Sequence, residues 1–174
     1  MSKPLSLRWF RRPVLEVAPE LLGRHLVVSR KGGRGSERFV ITEVEAYDGP
    51  EDLACHASRG RTTRTEVMYQ AGGVFYVYLV YGMHWMLNIV TGAEGYPAAV
   101  LIRGVEGISG PGKLTRRLGI DHSLNARSAT GKGGVWFEES GLVVPENTIE
   151  KTPRVGVDYA GEWARRPYRF VLRP

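Results

Sequence analysis

Short apolar runs, many of them alternating with polar residues, recur along the chain and end at glycine-rich turns. β-Branched and aromatic residues fill most of these runs, which is typical of strands in an antiparallel sheet. The pattern predicts eight strands, at residues 26–28, 39–47, 74–81, 85–90, 98–105, 136–137, 154–157 and 168–172. The glycines in residues 31–35 predict a hairpin turn between the first two strands.

Three segments have helical signals. Pro13 and Gly23 bound a segment whose apolar residues have helical spacing, residues 113–118 end at Gly119, and residues 63–70 stop before a pair of glycines. Helices and strands together predict an α+β fold with a curved antiparallel β-sheet core and flanking short helices. We expect a single domain over residues 1–174, because no linker or repeat divides the chain.

Composition narrows the classes of function. Lys and Arg number 24 against 18 Asp and Glu, so the formal charge is +6. The single cysteine, Cys55, excludes a disulfide scaffold and a zinc site with two or more cysteine ligands. Residues 67–93 carry no formal charge, but their glycines and alternating pattern favour two buried strands over a membrane helix. With no secretory leader visible, we expect an intracellular protein that has no membrane partner.

The charges are unevenly distributed. Residues 43–52 contain five acidic and no basic side chains, whereas arginines and lysines cluster in residues 59–64, 113–117 and 165–173. The basic clusters would attract a polyanion such as nucleic acid, which the acidic segment would repel. The acidic segment therefore needs a separate explanation, although each charged run could also be an ordinary solvated face.

One strand carries candidate chemistry. Because side chains alternate between the faces of a strand, Glu43, Glu45 and Tyr47 are expected on one face. Two carboxylates on one face repel each other, so one would be neutral or paired with a cation. The alternative is a solvent-facing strand at the edge of the sheet.

A second strand is rich in aromatic residues. Tyr76 and Tyr78 are expected on one face, and Phe75, Val77, Leu79 and Tyr81 on the other. The strand could simply fill a core. It could also stack on a nucleic-acid base, with residues 81–83 as a protruding tip that wedges between base pairs.

No cofactor or metal is predicted. Residues 107–113 have the spacing of a nucleotide-binding loop, but Leu114 replaces the required Ser or Thr and Pro111 removes an amide. This turn, with Lys113, is better suited to one phosphate of a nucleic-acid backbone. His25, His84 and His122 lack the spacing of metal ligands.

Several motifs together resemble the alkyladenine (3-methyladenine) DNA glycosylases. They lie at residues 43–52 (EVEAYDGPED), 56–63 (HASRGRTT), 76–83 (YVYLVYGM), 87–89 (LNI), 100–103 (VLIR), 109–114 (SGPGKL), 154–157 (RVGV) and 161–164 (GEWA). The resemblance implies a monomeric, cofactor-free enzyme that flips damaged purines out of duplex DNA and hydrolyses their N-glycosidic bond. The substrates implied are 3-methyladenine and 7-methylguanine, with hypoxanthine and ethenoadenine as neutral candidates.

The resemblance also assigns roles to residues. Glu45 would activate the attacking water, and Arg103 would help to position Glu45 and contact the DNA backbone beside the lesion. The base pocket would consist of Tyr47 and His56 on one side of the base, Tyr78 on the other, and Asn88 against the 2-amino group of guanine. The DNA contacts would be Tyr81 and Met83, filling the gap left in the helix, and Arg61, Thr63, Arg64 and Lys113 along the backbone.

Two other functions remain open. Lys113 could form a Schiff base in a bifunctional glycosylase/lyase, or the protein could bind DNA without catalysis. Each function has double-stranded DNA as its partner and implies an intracellular location on DNA.

Overall fold

The computed structural model, which describes residues 3–30 and 35–173, has nine strands in one antiparallel sheet. They are β1 (His25–Ser29), β2 (Ser36–Asp48), β3 (Phe75–Val80), β4 (His84–Val90), β5 (Ala98–Val105), β6 (Ile108–Ser109), β7 (Val135–Glu138), β8 (Ile149–Thr152) and β9 (Arg169–Leu172). The main order is β3-β4-β5-β2-β1-β7; β6 pairs with β5, and β9 pairs with both β2 and β8. β1 and β2 pair as the sequence predicts, but residues 31–34 of the expected turn lie outside the described residues.

β2 runs through the middle of the sheet. Its first half pairs with β1, and its second half lies between β5 and β9. The alternative of an exposed sheet edge is therefore wrong for this segment. The register with β5 shifts on both sides of Glu43, and irregularities of this kind re-aim side chains.

Helices cover the sheet at two places. α1 (Val14–Leu21) packs on β2 and β5, and α2 (Pro111–Leu118) packs on β4 and β5. Gly119 ends α2 with a left-handed φ of 64°, as its position predicts. The expected helix at residues 63–70 is a single 3-10 turn at Glu66–Tyr69. It is shorter because Thr62 and Thr65 bond each other's backbone N–H groups, which competes with helical hydrogen bonds.

The strand predicted at residues 154–157 is wrong. The chain turns there, with a φ of 73° at Gly156, and the strand that pairs with β9 is β8, just before it. Val157 packs in a small cluster with Ala54 and Ala160. The burial of Val157 therefore reflects packing against a loop and not a place in the sheet, and Val155 is half exposed.

The fold class agrees with the sequence, and three buried phenylalanines pack in the core. Phe10, Phe75 and Phe137 pack together with centroid separations of 5.4 and 5.8 Å. The sheet and its short helices confirm the predicted α+β class. Across residues 3–30 and 35–173, no helix is both long enough and apolar enough to cross a bilayer.

Candidate active site

A cavity of roughly 270 Å³ opens where β2, β3, β4 and β5 approach the loop at residues 153–157. This volume is near the lower end of the range for small-molecule pockets, about 300–1,000 Å³, and suits one flat base. All four predicted base-pocket residues, Tyr47, His56, Tyr78 and Asn88, line this cavity, together with Arg103 and Tyr81, to which the resemblance assigns other roles. Met83, Arg61, Thr63, Arg64 and Lys113 do not line it.

Glu45 lies immediately behind the cavity wall. Its Oε1 accepts a hydrogen bond from the Val155 N–H at 2.7 Å and lies 3.6 Å from Arg103 Nε. Its Oε2 accepts from the Tyr47 hydroxyl at 2.8 Å. All three partners line the cavity, whereas the Glu45 side chain itself has no exposed surface. The predicted common face of Glu45 and Tyr47 is therefore confirmed, and Glu45 is more deeply buried than the sequence suggested.

The surroundings of Glu45 act on its pKa in opposite directions. Burial raises the pKa of the carboxyl above its ordinary value and is the largest influence. The Arg103 charge, the Val155 N–H, the Tyr47 hydroxyl and the Arg154 charge all lower it. A carboxylate that is desolvated but held by several donors is a suitable general base.

The second carboxylate of the strand has a different role. Glu43 Oε1 accepts from Arg103 Nε at 2.8 Å and from Arg169 Nε at 2.7 Å. These two arginines lower the pKa of Glu43 against the opposing effect of burial. Glu43 is thus hydrogen-bonded directly to two cations, and it fixes Arg103 beside Glu45.

Tyr47 is held from two directions. Its hydroxyl bonds Glu45, and the Arg154 guanidinium lies 4.8 Å from its ring centroid. Burial and the nearby Glu45 charge raise the pKa of Tyr47 well above its ordinary value, so the hydroxyl remains a hydrogen-bond donor.

His56 and Tyr78 form one wall of the cavity. Their ring centroids are 4.6 Å apart at an interplanar angle of 64°, and His56 Nδ1 lies 3.0 Å from the Tyr76 hydroxyl. Rings in direct contact leave no gap for a base between them, so the expected placement of His56 and Tyr78 on opposite sides of a base is wrong for this structure. Burial and the positive charges of Arg64 and Arg59 lower the pKa of His56 to about 4, which makes the ring neutral at neutral pH.

Asn88 is fixed by the backbone. Its Nδ2 donates to the carbonyl of Tyr76 at 3.1 Å, and the side chain is almost fully buried at the cavity. No hydrogen bond to a described residue involves its Oδ1, which leaves an oxygen available to a ligand.

Tyr81 and Met83 form the tip of the β3–β4 hairpin, as predicted. They are 89% and 65% exposed. Tyr81 lines the cavity instead of sharing a face with Phe75 and Val77, because the strand ends at Val80 and Tyr81 adopts a left-handed φ of 53°. That backbone conformation is uncommon for a bulky residue and marks a constrained position.

The residues predicted to contact the DNA backbone differ in their surroundings. Arg61 is exposed but forms a two-bond pair with Glu66, at 2.8 and 2.6 Å. Arg64 lies over the Tyr78 ring at 5.0 Å and lines a neighbouring cavity that shares His56 with the first. Thr63 and Lys113 are exposed, and Lys113 is on the first turn of α2. No group of three or more His, Cys, Asp or Glu suited to a metal occurs in the described parts of the chain.

Sequence reasoning missed one feature of the site. Asp52 and Arg154 form a buried ion pair behind Tyr47, and the next residue, Val155, bonds Glu45. Asp52 is separated from Arg154 by about a hundred residues, so no local pattern joins them. The signal available was that both belong to the motifs quoted for the family resemblance.

Comparison with known proteins identifies the family. A family model described as Methylpurine-DNA glycosylase (MPG) matches residues 8–110 and 106–174. Relatives named, provisionally, as 3-methyladenine DNA glycosylases include a Myxococcus xanthus protein that is 47% identical, with 95% of this chain and 88% of the relative covered. Others are from Methanocella arvoryzae, 44% identical with 93% and 88% covered, and from Psychrobacter cryohalolentis, 41% identical with 95% and 92% covered. The chain belongs to the methylpurine-DNA glycosylase family, and the resemblance inferred from the motifs is confirmed.

Proposed function

We propose that this protein is a monofunctional DNA glycosylase that removes alkylated purines, such as 3-methyladenine and 7-methylguanine, from duplex DNA. The observation that carries the proposal is the Glu45 carboxylate, held by Tyr47, Val155 and Arg103 directly behind an aromatic cavity. Family membership supports the same reaction. We further propose that it acts as a monomer at DNA inside the cell.

Base capture would use both walls of the cavity. A base inside duplex DNA is out of reach, so the damaged nucleotide has to leave the stack, at a cost of a few kcal/mol. Tyr47 would stack on one face of the extruded base, and the contacting His56 and Tyr78 rings would form the opposite wall. A cationic alkylated purine gains about 0.5–2 kcal/mol from the faces of such rings.

Hydrolysis would depend on Glu45. As the bond from the sugar C1′ to the purine nitrogen breaks, positive charge develops on the sugar, and a nearby carboxylate stabilises it. Water then bonds to C1′ through its oxygen while Glu45 accepts a proton from it. A carboxylate has about four acceptor positions, and the hydrogen bonds from Tyr47 and Val155 occupy two of them. Because the Glu45 side chain has no exposed surface in the free protein, the water would reach the remaining positions only when the wall formed by Tyr47, Val155 and Arg103 moves on binding of the damaged nucleotide.

The charge of the damaged base predicts which substrates are released faster. 3-Methyladenine and 7-methylguanine carry a positive charge in DNA and leave as neutral bases, so they need no added proton. His56, with a pKa of about 4, is a poor proton donor at neutral pH. We therefore expect hypoxanthine and ethenoadenine to be released more slowly than the cationic bases.

The lyase alternative is less well supported. Lys113 lies on α2 and is not among the residues that line the cavity. A Schiff base at Lys113 would be trapped by borohydride on abasic DNA, and Lys113→Ala would abolish the adduct. Absence of any adduct, with base release intact, supports hydrolysis by water.

The experiment that tests this proposal measures the release of damaged bases from DNA. Duplex DNA treated with a methylating agent is incubated with the protein, and the released bases are separated by chromatography. We expect 3-methyladenine and 7-methylguanine from the wild type and none above background from heat-inactivated protein. Binding of the DNA without release of any base would instead favour a non-catalytic DNA-binding protein.

A further inference from the structure

The mechanism proposed above does not use the buried ion pair behind the cavity. Arg154 Nη1 lies 2.5 Å from Asp52 Oδ2, and Nη2 lies 2.8 Å from Oδ1. Neither side chain has any exposed surface. Burying two charges is costly unless they are paired and well hydrogen-bonded, so the location of this pair next to a reactive carboxylate requires an explanation.

Arg154 contacts the segment that carries both Glu45 and Tyr47. Its Nη1 donates to the carbonyl of Ala46, the residue between them, at 2.8 Å. Its guanidinium lies 4.8 Å from the Tyr47 ring centroid, and the N–H of the following residue, Val155, bonds Glu45. Arg154 thus supports the backbone, the ring and the carboxylate of one short stretch of β2.

Asp52 fixes the other side of the pair. Its Oδ2 accepts from the Asp48 N–H and its Oδ1 from the Ala54 N–H, both at 3.0 Å. These bonds close the turn that leads from the end of β2 to His56. Through its Nη2, Arg154 also bonds the carbonyl of Trp163 at 3.2 Å. The ion pair therefore connects three segments that supply the cavity: the end of β2, the turn before His56, and the loop at residues 153–157.

We infer that Asp52 and Arg154 form a positioning unit that holds the Glu45 carboxylate and the Tyr47 ring in register with the cavity. The Arg154 charge also lowers the pKa of Glu45, although burial and the other neighbours of Glu45 affect that pKa more. The inference rests on the proposed function, since it assigns this pair to the same reaction. Charged and titratable groups surround Glu45: Glu43 and Tyr47 on β2, Tyr78 on β3, Arg103 on β5, Arg169 opposite it on β9, and Arg154 in the loop. Of these cations, Arg103 and Arg169 both bond Glu43, so Arg154 is the one that has no hydrogen bond to Glu43.

The test is the pH dependence of single-turnover base release, measured on folded protein. Arg154→Met removes a positive neighbour, so Glu45 should protonate more readily and the acid limb should move to higher pH by at least about half a unit. The plateau rate should fall by about 10- to 100-fold as the geometry loosens. Asp52→Asn removes a negative neighbour and should move the acid limb in the opposite direction. Arg154→Lys should restore the position of the limb but not the full rate, because Lys lacks the two-pronged geometry of Arg.

Loss of stability alone would not move the acid limb in opposite directions in Arg154→Met and Asp52→Asn, since both substitutions break the same ion pair. Arg38→Met is the matched control, because it breaks an ion pair with the buried Glu138 between β2 and β7, away from the cavity. It should lower the melting temperature without moving the acid limb. Acid limbs of Arg154→Met and Asp52→Asn that coincide with the wild type would overturn the inference, and if Arg154→Met does not fold, an unshifted Asp52→Asn suffices. Failure of the proposed function looks different, since the wild type itself would then release no base.

Discussion

The acidic residues behind the cavity are buried and paired, whereas the residues at its rim are exposed. Glu43, Glu45 and Asp52 are buried, and each has an arginine within 4 Å. At the rim, Tyr81 and Met83 are mostly exposed at the tip of the β3–β4 hairpin. The buried acidic residues already have their arginine partners in the free protein, whereas the side chains at the hairpin tip leave a large apolar surface in water.

This difference explains why an acidic segment occurs in a basic protein. Three of the five acidic residues at positions 43–52 are enclosed and matched by arginines, so they do not present a repulsive surface to DNA. Preorganised buried charge stabilises a transition state without reorganisation during the reaction. Under the proposed function, the exposed Tyr81 and Met83 would instead gain their partners when DNA binds. The comparison predicts that changes behind the cavity alter chemistry, whereas changes at the rim alter capture and binding.

The largest effect is expected for Glu45→Gln. An amide cannot accept the proton of the attacking water, so base release should fall by at least about 10²-fold. DNA affinity should stay within a few-fold, because Glu45 has no exposed surface with which to contact DNA. Single-turnover release and equilibrium binding, measured on the same lesion-containing duplex, separate the two quantities.

Glu43→Gln is the control for this experiment, since Glu43 lies on the same strand but is bonded to Arg103 and Arg169. It should lower the rate less than Glu45→Gln does. A Glu45→Gln protein that releases bases at the normal rate would exclude Glu45 as the general base.

The next effect concerns the rim. Tyr81→Ser removes the exposed ring that would occupy the gap left by the flipped nucleotide, so capture should weaken by about tenfold on a well-paired lesion. The loss should be smaller when the lesion is mismatched, because less pairing energy has to be replaced. Comparing release under subsaturating conditions on paired and mismatched duplexes tests this, and equal losses on both would contradict a wedge role.

Much of this arrangement follows from local sequence. Alternation along β2 places Glu45 and Tyr47 on one face, and the turn after β3 projects Tyr81 and Met83. Side-chain alternation and turn residues act over a few positions, so a single sequence carries them. Resemblance to a family then assigned roles that alternation alone could not.

The remaining features depend on contacts between distant segments. The alternation of Val155 and Val157 predicts a strand at residues 154–157. This segment is instead a loop, in which Arg154 is paired with Asp52 from a distant part of the chain. His56 and Tyr78, which form one wall of the cavity, also come from separate elements. Side-chain alternation within one element does not predict the distance between these two rings. The depth of Glu45 results from enclosure by three segments at once, which no pattern within β2 reveals.

His56 provides a smaller test of the cavity wall. Its pKa is about 4 in the folded protein and about 6.5 when unfolded. Between these values the unfolded state binds more protons, so stability decreases as pH falls through this window. From pH 7 to 5.5 this costs the wild type about 1 kcal/mol, which His56→Gln should recover. Urea unfolding at both pH values measures it, provided that the m-value is unchanged. A pH dependence that survives the substitution would assign the proton uptake to another group.

The smallest effect is expected for a single phosphate contact at the rim. Lys113→Ala should weaken DNA binding a few-fold at moderate salt, equally for damaged and undamaged duplexes, and should reduce the salt slope of the binding constant by about one. Arg61→Ala is the informative comparison, because Arg61 is already paired with Glu66 in the free protein. Any phosphate contact of Arg61 has to compete with that carboxylate, so its removal should change affinity less than removal of Lys113. Binding measured by titration over a range of salt concentrations distinguishes the two, and a larger loss for Arg61→Ala would mean that the Glu66 pair opens on DNA.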